Sequence, residues 1–324
     1  MSRLTTTSIA VAALLLHASA GPSNAQGIGY AQALDRLGVS CGKDIDKLCK
    51  TASLGGGRVT QCLEQKLPAV SPNCKASLTD MAALLINRAQ ARAAVMGVCG
   101  SDIRRFCDGV VAGDGNLMEC FYKARRNMSA ACQKTVSDAG YDATISATAA
   151  TTQVALGSKD LIESLQAVEE AGPNLSAARL RQLAAQSLND PARANPMNRA
   201  PLTDQLEKLA QLTIAIQFDF NSARIRPSSF REVGLMADSL YHPYLQGYRF
   251  LIVGHTDAVG NRASNLKLSQ QRADAIRDAL IKPFGISPSR IEAVGLGEEQ
   301  LLRPANPQAA ENRRVQLINI GRGN

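Results

Sequence analysis

The amino-acid sequence predicts an α+β protein, with an all-α, disulfide-stapled N-terminal region and a C-terminal domain in which strands alternate with helices. Three observations lead to this fold class. All eight cysteines lie between Cys41 and Cys132, in a spacing that occurs twice. The segment 211–324 alternates short apolar runs with amphipathic runs. The first residues have the composition of a secretory signal, and export places the cysteines in an oxidising compartment.

The N-terminus, residues 1–25, is predicted to be a signal peptide. A short apolar core, Ile9 to Leu16, is followed by two small-residue cleavage sites, Ala18-Ser19-Ala20 and Ser23-Asn24-Ala25. The apolar core is too short to span a bilayer. No cysteine stands directly after it, so a lipid-anchored lipoprotein is disfavoured. The most apolar later stretch, Met81 to Met96, is interrupted by two arginines. We therefore expect an exported, soluble protein.

The formal net charge of +8 indicates an acidic or polyanionic neighbour. Export argues against nucleic acid, so cell-wall carboxylates or anionic membrane headgroups are the expected partners, including peripheral contact with an outer membrane. A solvated surface that is simply basic explains the charge equally well, because the basic residues are spread along the chain. No cofactor is expected from the composition.

The cysteine pattern is an internal duplication. The first four cysteines are separated by 8, 13 and 12 positions, and the last four repeat these separations: Cys41, Cys49, Cys62, Cys74 and Cys99, Cys107, Cys120, Cys132. Further identities occur at the same offset: Gly42 with Gly100, Asp44 with Asp102, Ile45 with Ile103, Gly55 with Gly113, Gly57 with Gly115, and Ser71 with Ser129. The region 26–140 is therefore predicted to hold two copies of one module.

Each module is predicted to be a helical hairpin. In the first, a turn at Gly55-Gly56-Gly57 joins two helical runs, the second from Val59 to Leu67, since glycine allows the positive φ that reverses a chain. In an antiparallel hairpin, the residue numbers of two facing positions add up to nearly the same total along its whole length. This predicts nested bridges: Cys41–Cys74, Cys49–Cys62, Cys99–Cys132 and Cys107–Cys120. Four cysteines permit three connectivities, so this pairing is a hypothesis. A metal site is weakly supported, because no C-x-x-C pair and no histidine occur there.

The remaining segments are predicted from caps, prolines and periodicity. Thr79 is expected to cap a helix that runs to about Met96 and connects the two modules. The segment 141–205 is expected to be a spacer. Its parts are an Ala-, Thr- and Ser-rich link, helices over about 160–170 and 175–188 with Asn174 capping the second, and a proline-rich linker over Asn189–Pro201.

The C-terminal domain, 206–324, is predicted to have the order βαβαββ. Its elements are strand Ile214–Phe218, helix 228–241, strand Tyr248–Gly254, helix 264–282, strand Ile291–Val294 and strand Val315–Ile320. This alternation predicts a sandwich in which helices cover one face of a mixed sheet.

One stretch of this domain places an acid on a loop and an arginine on the following helix. It reads Gly254-His255-Thr256-Asp257-Ala258-Val259-Gly260, followed by Asn265-x-x-Leu268-Ser269-x-x-Arg272-Ala273. Together with Gly295-x-Gly297 and Asn312-Arg313-Arg314-Val315, it resembles the OmpA-like peptidoglycan-binding domain. The resemblance covers about 211–324 and implies a non-catalytic anchor, in the periplasm or at the outer membrane of a Gram-negative bacterium, that holds diaminopimelate of the wall's stem peptide. The cysteine spacing is similar to the Golgi-apparatus-type cysteine-rich repeat, which implies helical modules but no particular activity.

The resemblance also implies a set of ligand contacts. Diaminopimelate presents an ammonium and a carboxylate, so Asp257 would neutralise the first and Arg272 would take the second in a bidentate fork. Further contacts are implied at Asn221, Asn265, Arg313, Thr256 and Val259. Structural alternatives remain: Asp257 caps a turn, Arg272 pairs with Asp257 alone, Asn221 forms a turn, and Arg313 braces the sheet edge. The loop 297–312 departs from the family pattern, which affects the placement of Arg313 most.

The leading functional hypothesis is therefore non-covalent binding of peptidoglycan, which anchors the exported cysteine-rich modules to the wall. A second hypothesis makes the cysteine-rich half a binding module for an unidentified protein or ligand, with the C-terminal domain as an address. An enzyme is the third. Only His242 and His255 lie outside the signal, and no serine or cysteine nucleophile accompanies them in a known pattern.

Overall fold

The computed structural model of the chain describes residues 28–110, 114–141, 162, 165 and 175–323. The signal peptide, the Ala-, Thr- and Ser-rich link and most of the helix expected over 160–170 lie outside the described residues. Ile162 and Leu165 of that helix are described, and both are helical and buried. The predicted α+β class is confirmed: a helical N-terminal region with four disulfides precedes a domain built on a four-stranded mixed sheet.

The N-terminal region is helical throughout its described residues. Its helices are α1 (Tyr30–Leu48), α2 (Arg58–Gln65), α3 (Pro72–Val98), α4 (Gly100–Phe106), α5 (Asp114–Ala124) and α6 (Ala130–Asp138). Short 3-10 turns lie at Gly55–Gly57, Leu67–Ala69 and Arg125–Asn127. In the glycine turn, Gly56 and Gly57 both have φ of 71°, which explains the need for glycine at the reversal.

The four disulfides are nested within the two repeats, as the hairpin geometry predicts. The pairs are Cys41–Cys74 and Cys49–Cys62 in the first repeat, and Cys99–Cys132 and Cys107–Cys120 in the second. In both repeats the outer bridge joins residues 33 positions apart and the inner bridge joins residues 13 apart. Each repeat is therefore closed on itself, and no disulfide crosses between them.

A second feature shared by the repeats is an aspartate–serine pair beside the outer disulfide. Ser71 is the N-cap of α3, and its hydroxyl lies 2.6 Å from an Asp44 carboxylate oxygen and accepts from the Cys74 amide. Ser129 is the N-cap of α6 and pairs with Asp102 at 2.7 Å in the same way. The aspartate and serine that recur in both repeats thus join the N-terminus of one helix to the side of another.

The expected start of the connecting helix was wrong. Helix α3 begins at Pro72, and Thr79 lies inside it, where its hydroxyl donates to the Lys75 carbonyl at 3.1 Å. The Ser71-Pro72 pair explains the earlier start, because serine caps a helix and proline is favoured at its first position.

The C-terminal domain has the predicted βαβαββ order. Its elements are β1 (Gln211–Ile214), α8 (Phe230–Leu240), β2 (Tyr248–His255), α9 (Arg262–Ile281), β3 (Ile291–Gly297) and β4 (Val315–Arg322), preceded by α7 (Ala177–Leu188) and a helical turn, Gln205–Lys208. The strand order is β1-β4-β2-β3, with β2 and β3 parallel and β4 antiparallel to both of its neighbours.

The first strand lies earlier than predicted. Pairing with β4 ends at Ile214, which lies opposite Val315, and Phe218 makes only an isolated bridge with Ile225. The chain between these two residues forms a closed loop, in which the Asp219 amide donates to the Arg224 carbonyl at 3.1 Å. The apolar residues at 214–218 therefore enter a loop beside the sheet instead of extending its edge.

Helices cover both faces of the sheet, so the prediction of helices on one face was wrong. Phe250 and Ile252 of β2 pack toward α8 and α9, whereas Leu251 and Val253 pack in the cluster that contains α7. The four-residue apolar run in β2 is the sequence signal for this burial on both faces. Helix α7 begins at Ala177 and is capped by Ser176, which accepts from the Arg179 amide; the predicted cap, Asn174, lies outside the described residues.

The segment Asn189–Pro201 is ordered on this second layer and does not have the structure expected of a linker. It carries 3-10 turns at Pro191–Arg193 and Pro196–Asn198, each capped by the preceding Asp190 or Asn195 side chain. Arg199 is buried and donates to the Glu298 carbonyl at 2.7 Å. Side-chain caps and a buried arginine compensate for the missing hydrophobic periodicity.

The first cysteine-rich repeat and the C-terminal domain share one hydrophobic core, in which α1 packs along α8. At the centre of this contact, Asp238 of α8 pairs with Arg88 of α3 at 3.1 Å, with side-chain exposures of 1% and 2%. The same carboxylate accepts from the amides of Tyr30 and Ala31 at the start of α1. An acceptor at a helix N-terminus and a paired cation satisfy this buried charge.

Candidate functional site

The turn after β2 holds the candidate acid, Asp257, in a fixed orientation. One Asp257 oxygen accepts from the Val259 amide at 3.2 Å, and the neighbouring Ala258 amide donates to the Pro307 carbonyl at 2.9 Å. Asn265 of α9 donates to the carbonyls of Asp257 and Val259 and to Glu298. The Asn265 amide group is thus used within the protein to hold the turn.

The ion-pair partner of Asp257 is Arg313, at 2.6 Å, and not Arg272. The alternative in which Asp257 and Arg272 pair with each other is therefore not the arrangement of this site. The Arg313 side chain is 51% exposed and the Asp257 side chain 12% exposed, so the pair closes the surface over the turn. An ion pair this open to water contributes about 1 kcal/mol or less and can be displaced by a ligand cation.

Arg272 lies beside this pair, on α9. Its Nε donates to the Ser222 carbonyl at 3.0 Å, and its guanidinium lies 4.8 Å from the centre of the Phe218 ring. Burial and then the charge of Arg313 lower the pKa of Arg272, while Asp257 acts in the opposite direction. Both Nη groups of Arg272 lack a hydrogen-bond partner among the described residues. This leaves one edge of the guanidinium for a ligand.

The loop from Asp219 to Arg226 supplies the carbonyl that holds Arg272. Asn221 has φ of 48° in this loop, a conformation that asparagine tolerates better than most residues, and its side chain is exposed. Its turn-forming role is therefore present, and a ligand contact at Asn221 stays a prediction. The preceding Phe220 is 96% exposed.

The remaining predicted contacts divide by exposure. Val259 is exposed at the tip of the turn, so it is available to a ligand. Thr256 is buried, and its backbone amide donates to the Gly297 carbonyl at 2.9 Å, which joins the start of the turn to the end of β3. Ligand binding by any of these residues stays a prediction.

Sequence reasoning missed the residues that place Arg313. Asn312 is fully buried; it donates to the carbonyls of Asn306 and Pro307 and accepts from the Arg303 amide at 2.8 Å. These bonds fold the loop 303–312 and bring Arg313 over Asp257. The buried asparagine in the Asn-Arg-Arg motif was the available signal, but its partners are distant carbonyls that carry no sequence pattern.

Behind the turn, His255 and Arg314 form a buried polar group. His255 Nε2 lies 2.6 Å from the Gln316 side-chain oxygen, and burial together with Arg314 holds the pKa of His255 well below its ordinary value. Burial also lowers the pKa of Arg314 to about 10, and this arginine donates to the Gln300 carbonyl. Arg314 thus lies behind the turn and does not contact Asp257.

The described residues contain no cluster of three or more histidine, cysteine, aspartate or glutamate side chains arranged to hold a metal ion. Among the same residues, we find no helix whose length and apolarity would let it cross a membrane.

Comparison with known proteins agrees with this fold. Residues 217–314 match the model of the OmpA family, and residues 72–129 match that of a cysteine rich repeat. Outer membrane porin F of Pseudomonas fluorescens is 37% identical over 114 residues, which are 34% of this chain and 33% of the porin. The peptidoglycan-associated lipoprotein of Pseudomonas putida is 33% identical over 102 residues, which are 31% of this chain and 59% of the lipoprotein. The solved cell wall anchor of the T6SS from Pseudomonas aeruginosa is 24% identical, with a TM-score of 0.30, over 45% of this chain and 99% of that one.

The chain therefore contains an OmpA family domain and a cysteine-rich repeat region. The matched segments span about a third of the porin and less than two thirds of the lipoprotein, so this chain resembles each of these relatives over only part of their lengths.

Proposed function

We propose that the OmpA family domain binds peptidoglycan non-covalently, through the diaminopimelate of its stem peptide, and holds the chain in the cell envelope. The observation that carries the proposal is the charge arrangement of the site. Asp257 pairs with the exposed guanidinium of Arg313 and also acts electrostatically on the nearby Arg272, whose Nη groups have no partner among the described residues. One carboxylate faces two cations, so a ligand carboxylate would complete the set.

Diaminopimelate fits this arrangement because it carries both charges on one end. Its carboxylate would form a fork with Arg272, for which arginine geometry is suited. Its ammonium would approach Asp257 and displace or share the weak pair with Arg313. The peptidoglycan-associated relatives support a wall ligand, while the choice of diaminopimelate comes from the family resemblance and is consistent with the charge pattern.

A substitution series tests the assignment. Asp257→Asn and Arg272→Lys each keep the size of the side chain but remove, respectively, the charge and the fork. Asp257→Asn should weaken binding to purified diaminopimelate-type sacculi by about 2 kcal/mol or more, since the ligand ammonium loses its opposite charge. Arg272→Lys should weaken the same binding because the ligand carboxylate loses its two-pronged hydrogen bond. Arg179→Lys is the matched control, because Arg179 is exposed on α7 and its side chain bonds Gln182 of the same helix.

The choice of stem residue is tested with lysine-type sacculi, whose third stem residue lacks the second carboxylate. Wild-type protein should bind these much more weakly than diaminopimelate-type sacculi. In the Arg272→Lys protein, the difference in affinity between the two sacculus types should be smaller. Equal binding of both sacculus types would reject diaminopimelate as the ligand, and unchanged binding by Asp257→Asn would reject the site.

We also propose that the protein has no catalytic activity. His255 is buried and occupied with Gln316, and every cysteine of the described residues is in a disulfide. Incubation with sacculi should release no soluble fragments. A rise in soluble stem peptides or sugars that depends on His255 would contradict this.

A further inference from the structure

The loop Asp219–Arg226 forms one side of the candidate site and is the only described contact of the Arg272 Nε group. Its Ser222 carbonyl accepts from that group at 3.0 Å. The loop has no strand pairing beyond the bridge between Phe218 and Ile225. Besides the burial of Ile225 and the backbone bond from Arg226 to Gln217, the position of the loop therefore depends on contacts with neighbouring elements.

Ion pairs connect residues of this loop to one another and to helix α1. Asp219 accepts from Arg224 at 2.6 Å and from Arg226 at 3.1 Å. The second Nη of Arg224 donates to Asp46 at 2.7 Å, and Asp46 belongs to helix α1 of the first cysteine-rich repeat. Arg224 is 9% exposed and Asp46 is 62% exposed, so Asp46 closes the outside of a nearly buried guanidinium. Although burial alone would lower it, the bonds to Asp46 and Asp219 hold the pKa of Arg224 above its ordinary value.

Helix α1 also packs on the residue that follows the loop, Pro227. A Cβ on Gly38 would lie 2.4 Å from the Pro227 carbonyl oxygen, so only glycine lets the helix come this close. Gly42, one turn further along, lies against the Pro227 side chain. The contact thus has a backbone part at Gly38 and a charged part at Asp46, one at each end of a two-turn stretch of α1.

The disulfides of the first repeat hold this stretch of helix. Cys41 lies between Gly38 and Asp46 and is joined to Cys74 of α3, and Cys49 at the end of α1 is joined to Cys62. The helix that contacts the loop is therefore fixed at two points to the rest of its repeat.

The second repeat lacks both contact residues. At the offset that matches the cysteines, Met96 stands in place of Gly38 and Arg104 in place of Asp46. The two units nevertheless share their disulfides and their aspartate–serine pairs, so these two surface positions distinguish the copies at the place where α1 meets the loop. Among the described residues, the contacts at Gly38 and Asp46 come from the first repeat.

We propose that the first cysteine-rich repeat is a positioning part of the ligand site, in which Asp46 and the close contact at Gly38 hold the Asp219–Arg226 loop and thereby Arg272. This rests on the proposed function for its effect on binding, but the effect on the loop is independent of any ligand. The repeat is then a component of the wall-binding site and not a separate cargo.

The test uses the full mature chain with Phe220→Trp as a reporter. The sequence contains no tryptophan, and Phe220 is 96% exposed in the loop, so the single indole reports loop motion by fluorescence anisotropy. In this background, Asp46→Asn should lower the anisotropy without ligand and weaken binding to diaminopimelate-type sacculi by about fivefold or more, within the range of coupling between sites. Asp46→Glu should restore both, which a general loss of stability would not predict. Asp80→Asn, the same change at an exposed position of α3, should alter neither.

The outcomes separate this proposal from the proposed function. Unchanged anisotropy in Asp46→Asn, whatever the binding result, overturns the positioning role. A fall in anisotropy with wild-type sacculus affinity also overturns it, because the loop would then not govern the site. Failure of the unsubstituted chain to bind sacculi rejects the proposed function, and the anisotropy of Asp46→Asn then still decides whether the repeat holds the loop.

Discussion

The two cysteine-rich repeats have the same interior and different attachments to the C-terminal domain. The first repeat packs its opening helix, α1, along α8 and shares the main hydrophobic core. The second repeat uses its middle helix, α5, and contacts the far end of the domain. There Gly115 lies against Gly247, and Tyr122 packs on His242 and Tyr244.

This difference shows which parts of a duplicated module are free to change. The disulfides and the aspartate–serine pairs determine the hairpin, and they are identical in both copies. The outward faces carry no such constraint, so one copy presents Gly38 and Asp46 and the other presents Met96 and Arg104. The same disulfides and aspartate–serine pairs thus support two different surfaces for contact with the C-terminal domain.

The largest expected difference between the two attachments concerns buried charge. Arg88→Met would leave the Asp238 carboxylate buried without its cation, which should lower the free energy of unfolding by about 3–5 kcal/mol. At the second repeat, Arg322→Met removes a partly exposed pair with Glu119, a hydrogen bond to Asn116 and a stack on Tyr248, and should cost about 1–2 kcal/mol. Urea denaturation of both variants checks this, and equal losses would contradict the contrast.

Removing the outer disulfides sharpens the comparison, because both close loops of the same length. Cys41→Ala with Cys74→Ala, and Cys99→Ala with Cys132→Ala, should each lose roughly 3–4 kcal/mol of stability from loop entropy. Only the first double variant should also weaken binding to sacculi, since the contacts of the Asp219–Arg226 loop with the cysteine-rich region that the structure describes come from the first repeat. A matching loss of binding in the second would show that the two repeats support the site equally.

The close helix contact of the first repeat is tested with glycine substitutions. Gly38→Ala should lower the free energy of unfolding by about 1–3 kcal/mol, because the added Cβ would meet the Pro227 carbonyl. Gly97→Ala is the control on α3, where nothing lies within 4 Å, and it should stabilise by up to about 1 kcal/mol. A stabilised Gly38→Ala protein would mean that α1 does not approach the loop this closely.

The smallest expected effect is a pH dependence at the second repeat. Burial and then Arg125 lower the pKa of His242 to about 4, and its Nδ1 accepts from the Tyr244 amide. This pKa lies below the unfolded value of about 6.5. The stabilisation that neutral His242 gives to the folded protein is therefore complete above pH 6.5 and is lost as the pH falls toward 4. The free energy difference between wild type and His242→Phe should therefore shrink between pH 7.5 and pH 5.

His255 has a lowered pKa too, but it is present in both proteins and cancels in that difference. If the difference in unfolding free energy stays constant over this pH range, the pKa of His242 is the same in the folded and unfolded states.

Local patterns in the chain were enough to predict the nested disulfides and the βαβαββ order. A hairpin brings positions with similar index sums together, and the alternation of short apolar runs with amphipathic runs follows the geometry of strands and helices. Neither inference needs to know what packs outside the element. For the same reason, the turn that bears Asp257 and the helix that bears Arg272 were placed correctly.

Contacts between distant segments determined the rest. Asp257 pairs with Arg313 because Asn312 folds a loop through backbone carbonyls, which look alike in any sequence. The docking of α1 beside Arg224, and of α7 on the second face of the sheet, depends on surface shape and on the match of single residues far apart in the chain. An amphipathic helix shows that it must bury one face, but the partner that covers it is chosen only when the whole chain has folded.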